Sequence, residues 1–151
     1  HGVPCVGVST LEALAENLAG LPGLLLPVMD ARRAQVYTAT FRSQDGIPVR
    51  LSPDRAGAID TLVEELRDTK ETVCPVGDGA AAVLSALRAA NLPAIPPPPV
   101  LAEENAVSVG RVAYRSDLAG HYVGDEALRP VYLRLPQAER ERLEKEKSAL
   151  S

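Results

Sequence analysis

The stretch LLLPVMDARRAQVYTATF, residues 24–41, decides how this chain folds. Its first run, 24–29, carries no polar side chain and suits a strand covered on both faces. Residues 36–41 alternate instead, as a strand with one exposed face does. Between the two runs lies a charged corner, Asp30, Arg32 and Arg33. Asp30 favours a turn because its carboxylate can accept from the backbone just after it. Ala31, Arg32 and Arg33 supply none of the glycine that a tight two-residue hairpin wants, so side chains and not a permissive backbone are expected to shape the bend. Asp30, Arg32 and Arg33, with Tyr37 on the following strand, form a candidate corner that is either partner-facing or structural. The plain alternative pairs Asp30 with a neighbouring arginine in a solvated turn.

Outward from this centre, the pattern on the N-terminal side predicts a short strand over 3–8 and then a helix. Ser9 with Glu12 three residues on is the capping-box signature, and Leu11, Leu14, Ala15 and Leu18 share one helical face. Gly20 and Pro22 stop that helix. On the C-terminal side, Gln44, Asp45 and Gly46 make a turn into a third strand over 47–51, whose Pro48 restricts it to an edge or a bulge. These three strands form an antiparallel meander. After Ser52 and Pro53, the residues Ile59, Leu62, Val63 and Leu66 mark a helix ending near Asp68. Its start is left open between a first turn weakened by Gly57 and a later capping box at Thr61 and Glu64. A buried strand over 72–76 leads through GDGA, residues 77–80, into an alanine-rich helix to about Ala90, with Val83, Leu84 and Leu87 pointing inward. Ala94 and Ile95 read as one more brief strand, Pro96 to Pro99 as a stiff connector, and 102–118 as a helix closed by Gly120. Residues 128–135 are extended, and 137–151 carry charge on every face. The order predicts an α/β domain of the ribonuclease-H-like type, a mixed sheet with helices on both faces.

Composition bounds the function. A chain of 151 residues suits one domain that buries a core without staples. Only 3% of residues are aromatic, so stacking platforms for bases are not expected, and the core is built from Leu, Val, Ile and Ala. A net charge of −4 argues against a basic nucleic-acid surface, which leaves RNA contact to a partner. Cys5 and Cys74 read as small buried thiols. No apolar run approaches the roughly 20 residues of a membrane-spanning helix, and a cytoplasmic protein is expected. The start, HGVPCVGVST, enters a strand at once without an initiator Met and reads as part of a longer polypeptide.

Three kinds of chemistry bear on these residues. The strand-GDGA-helix turn has the form of an anion site at a helix N-terminus, with Gly77 and Gly79 as the cofactor-binding candidates. The alternative is that the glycines serve only a tight turn, and it gains weight from Asp78, which would repel phosphate. A metal centre needs convergent ligands, and His1 and His121 share no such motif. Neither Ser9 nor Cys74 has an evident base beside it, so no catalytic residue and no metal ligand is identified.

Four segments, GVSTLEALA at 7–15, PVMDARRAQVYTATF at 27–41, VGDGA at 76–80 and PVYLR at 130–134, together resemble the second half of the TsaB family, also called YeaZ. The resemblance implies a ribonuclease-H-like lobe of the actin-like ATPase (ASKHA) fold, with 1–135 as the C-terminal lobe and 136–151 as a charged tail. It implies a non-catalytic scaffold subunit of the complex that makes N6-threonylcarbamoyladenosine at position 37 of tRNAs. The partners would be a TsaD-like ATPase and transferase and a TsaE-like ATPase, with tRNA contacted only indirectly and a homodimer of the full-length parent possible. This lobe would bind no cofactor itself, ATP acting in the full complex. An N-terminal lobe, holding most of the helices through which the family pairs, would precede His1. The alternative is an M22-type glycoprotease-like or nucleotide-binding hydrolase domain that uses the GDGA turn.

Overall fold

The computed structural model describes residues 2–133. The expectations for His1 and for 134–151, the charged tail included, fall outside the described residues. β2 (Leu24–Asp30) is the axis of the sheet. Leu24, Leu26 and Val28 point to one face and Leu25 and Met29 to the other, so the unbroken apolar run fills two cores at once. Each such buried aliphatic side chain stabilises the fold by about 1.5–3 kcal/mol.

The strand expected at 36–41 is longer and divided. β3 (Gln35–Thr38) and β4 (Phe41–Gln44) follow one another along the same edge of β2, with Val28 opposite Thr38 and Leu25 opposite Phe41. Its expected exposed face is also covered: Val36 enters one core, while Ala39 and Phe41 enter the other with Tyr37 packed beside them. Asp45 and Gly46 then turn the chain with φ of 51° and 77°, the left-handed pair of a two-residue hairpin, into β5 (Ile47–Arg50). Pro48 stands on that edge strand. The meander is therefore present, extended by β6 (Arg55–Ala58), which pairs antiparallel with β3. Gly57 lies in this strand and not in a helix, because the free edge of β3 supplies a partner that local propensity does not signal. The next helix, α2 (Ile59–Glu65), starts directly after β6, and its N-cap Ala58 makes no side-chain capping bond, so the Thr61–Glu64 box does not form.

β7 (Val73–Val76) runs parallel to β2 on its other edge, and Ala94 adds a single parallel bridge to Val73. α2 and α3 (Ala80–Ala89) cover one face through Leu62, Leu66, Val83 and Leu87, with Leu84 only half-buried. α1 (Thr10–Asn17) covers the other through Leu11, Leu14 and Ala15, with Leu18 just past its end. The last helix is shorter than expected. α4 (Ala106–Leu118) begins after Asn105, whose side chain accepts from the Ser108 N–H at 2.9 Å, while residues Pro99–Leu101 form a 3-10 turn.

α4 packs on α1 from outside. The Asn17 amide donates to the carbonyls of Leu101 (3.1 Å) and Glu103 (2.6 Å) and accepts from Asn105 at 2.7 Å and from the Ser108 hydroxyl. Glu16, 5% exposed, takes both arms of the Arg115 guanidinium at 3.0 and 2.6 Å, which raises the Arg115 pKa. These bonds hold the stretch before α4 out of the helix expected there.

The strand expected at 3–8 shrinks to β1 (Pro4–Cys5), which pairs antiparallel with β8 (Val123–Gly124). Only two residues of each find an edge. Cys74 is buried as expected, whereas Cys5 on this small ribbon is only half-buried. Among the described residues no helix is long and apolar enough to cross a membrane.

Candidate functional site

At the N-terminus of α1 the chain opens a cleft of about 620 Å³. Residues 7–11 form one wall, Met29 and Tyr37 from the paired β2 and β3 form the back, and 129–133 close the far side. Three of the four motif segments thus meet around one cavity, and Tyr37 is the one corner candidate that reaches it.

Its polar margin is a relay of charges. Ser9 accepts from the Glu12 N–H at 3.3 Å, which caps α1, and its hydroxyl donates to Asp54 Oδ2 at 2.6 Å. The other Asp54 oxygen is held by Arg50, which also reaches Glu12 at 3.2 Å and lies 4.6 Å above the Phe41 ring. The Glu12 carboxylate is therefore spent on Arg50, and only half of the predicted capping box forms. Ser9 is thereby tied both to the helix cap and to the Asp54–Arg50 ion pair. Among the described residues, Arg129 at the mouth bonds its neighbour's carbonyl, Leu128 O, at 2.9 Å.

The arginine corner stands apart from the cleft. Arg32, Arg33 and Ala34 hold φ of 64°, 54° and 55°, three successive left-handed residues without a glycine. The expectation that side chains alone shape the bend is corrected: the backbone itself is forced. Asp30 Oδ1 accepts from the Arg32 N–H at 2.7 Å, Arg32 NH1 lies 3.3 Å from Asp30 Oδ2, and the Arg32 carbonyl accepts from the Gln35 N–H at 3.1 Å. The turn-making role of Asp30 and its pairing with a neighbouring arginine are both present. Arg33 is exposed, with no side-chain partner among the described residues.

The GDGA turn lies against this same corner. Gly77, at φ 109°, passes so close to β2 that a Cβ there would sit 2.4 Å from the Val28 carbonyl. Its N–H donates to Ala102 O at 3.2 Å, the Gly79 N–H donates to Val28 O at 3.2 Å, and Asp78 Oδ1 accepts from the Asp30 N–H at 2.8 Å. Both glycine N–H groups are committed to carbonyls, so the turn ties α3 to the end of β2. Among the described residues no three His, Cys, Asp or Glu side chains gather to hold a metal, and His121 is exposed.

Sequence reasoning singled out Ser9 and Tyr37 but not Asp54, Arg129 or Tyr132 as neighbours in one cavity. Asp54 gives no local signal, being 45 residues from Ser9. Arg129 and Tyr132 flank or belong to the PVYLR segment, which was legible as an extended piece and as part of the resemblance but not as a cavity wall.

The architecture defines a mixed α/β domain with helices on both faces of its sheet, and that fold recurs in solved structures. It matches an uncharacterized Pseudomonas aeruginosa protein with similarity to peptidase YEAZ at a TM-score of 0.62 and 18% identity, covering 87% of this chain and 59% of that one. YeaZ from Pseudomonas aeruginosa matches at 0.61 and 19%, covering 85% and 60%. In sequence, the tRNA threonylcarbamoyladenosine biosynthesis protein TsaB of Bacillus subtilis (strain 168) is 35% identical over 75 residues, 50% of this chain and 33% of that protein. In sequence the chain is thus similar to TsaB over half of its length, and in fold it is similar to the YeaZ structures. The chain spans about a third of the TsaB relative's length and about three fifths of the YeaZ chains. No family model matches it.

Proposed function

We propose that this chain is a ribonuclease-H-like lobe of a non-catalytic scaffold subunit that acts in tRNA threonylcarbamoyladenosine synthesis beside a TsaD-like protein. The sequence match to TsaB carries the reading. Two structural features support it. The meander with a parallel strand on the far edge of its first strand agrees with a ribonuclease-H-like lobe. Ser9, Asp54 and Arg50 are also locked in a network that serves helix capping and packing rather than proton transfer. ATP then works in the assembled complex and not in this lobe, and the setting is the cytoplasm.

The test is reconstitution of threonylcarbamoyladenosine formation on tRNA from a TsaD-like and a TsaE-like protein, with and without this protein. Formation that proceeds at an unchanged rate in its absence removes the scaffold role. The hydrolase alternative leans on the GDGA turn, whose Gly77 and Gly79 N–H groups are already bonded. Calorimetric titration of ATP with magnesium decides that point, and saturable metal-dependent binding would favour the enzyme.

A further inference from the structure

We infer that the cleft at the N-terminus of α1 is a binding site for a small monoanion with a planar apolar body, an aromatic or similar carboxylate. The inference stands on the cavity and not on the scaffold reading. A volume of about 620 Å³ falls among the sizes of small-molecule sites. The walls are apolar at Val8, Leu11, Met29 and Leu133, and Tyr37 and Tyr132 line the same space.

The polar groups set the sign of the ligand. Asp54, the one carboxylate lining the cleft among the described residues, has one oxygen engaged by Ser9 and the other by Arg50, so it offers little to a cation. Arg129 lies at the cleft with no carboxylate partner among the described residues. The hydroxyls of Thr10, Tyr37 and Tyr132 likewise have no partner there, and α1 starts at Thr10 with the positive end of its dipole toward the cavity. One open guanidinium, three hydroxyl donors and a helix N-terminus suit one negative charge. A dianion exceeds what a single arginine can balance in a cleft that Asp54 also lines.

Amide chemical-shift titration of the protein with benzoate tests this, with benzyl alcohol and benzylamine as neutral and cationic controls of the same shape. Benzoate is expected to move the Thr10, Leu11, Tyr37 and Arg129 amides saturably and to bind more tightly than either control. Arg129→Gln is expected to weaken it about tenfold, the loss of one charge-assisted hydrogen bond, while Arg129→Lys recovers part of the affinity. Arg129 is exposed and outside the core, so both variants fold. The inference is overturned if those amides do not respond, if benzylamine binds as well as benzoate, or if Arg129→Gln leaves benzoate binding unchanged.

Discussion

Ala34 shows how much one residue can be forced by its neighbours. At φ 55° its Cβ crowds the backbone, a cost of roughly 1–2 kcal/mol that glycine does not incur. The position is nevertheless fixed, because the Ala34 carbonyl accepts from the Ile59 N–H at 3.1 Å and the Arg32 carbonyl from Gln35. Ala34→Gly should therefore stabilise the protein by about 0.5–1 kcal/mol after the extra entropy of the unfolded glycine is subtracted, read as a higher denaturant midpoint. Cys74 is a second residue whose surroundings dictate its chemistry. Burial pushes its thiol up to about 11 from an ordinary 9.0. A raised thiol pKa favours the neutral form in the native state, so its contribution is complete below pH 9 and is lost as pH rises toward 11. Unfolding midpoints measured from pH 8 to pH 10.5 should fall less steeply in Cys74→Ala than in the parent. In native protein at pH 8, a thiol reagent should label half-buried Cys5 and spare Cys74.

Among the elements, α1 was legible because its apolar face and its Ser9 cap are local signals, and β2 because an unbroken apolar run admits few other readings. The hairpin at Asp45 and Gly46 was legible for the same reason. What holds α4 against α1 was not legible, since Asn17 meets Leu101, Glu103, Asn105 and Ser108 only after the chain has circled the sheet. Asn17→Ala leaves two carbonyls and two donors without their partner in a largely buried seam. It should cost about 2–4 kcal/mol, with the amides of α4 losing hydrogen-exchange protection before those of α2. Gly77→Ala should be worse for the fold, because the added Cβ meets the Val28 carbonyl and the backbone is left-handed. A loss of about 3 kcal/mol or more is expected in chemical unfolding.

At the scale of the whole molecule, stability is graded from the centre outward. β2 contributes to both cores and pairs on both edges, while β1 and β8 share two residue pairs at the surface beside exposed Val3, Tyr122 and Val123. Hydrogen exchange should be slowest in β2 and β7 and fast in β1 and β8; equal protection across both sheets would contradict this gradient. The sequence by itself determined the central strand, the meander, the alternation of later helices and strands, and the family likeness. The elements rest on apolar periodicity and turn chemistry within a few residues and the likeness on four short segments, all of which a linear reading contains. Only the tertiary structure decided that Gly57 belongs to a strand, that the arginine corner is bent through left-handed backbone, and that Ser9, Asp54 and Arg129 border one cleft. Those outcomes depend on which free edge, carbonyl or guanidinium a residue meets across tens of positions, and no local pattern encodes that meeting.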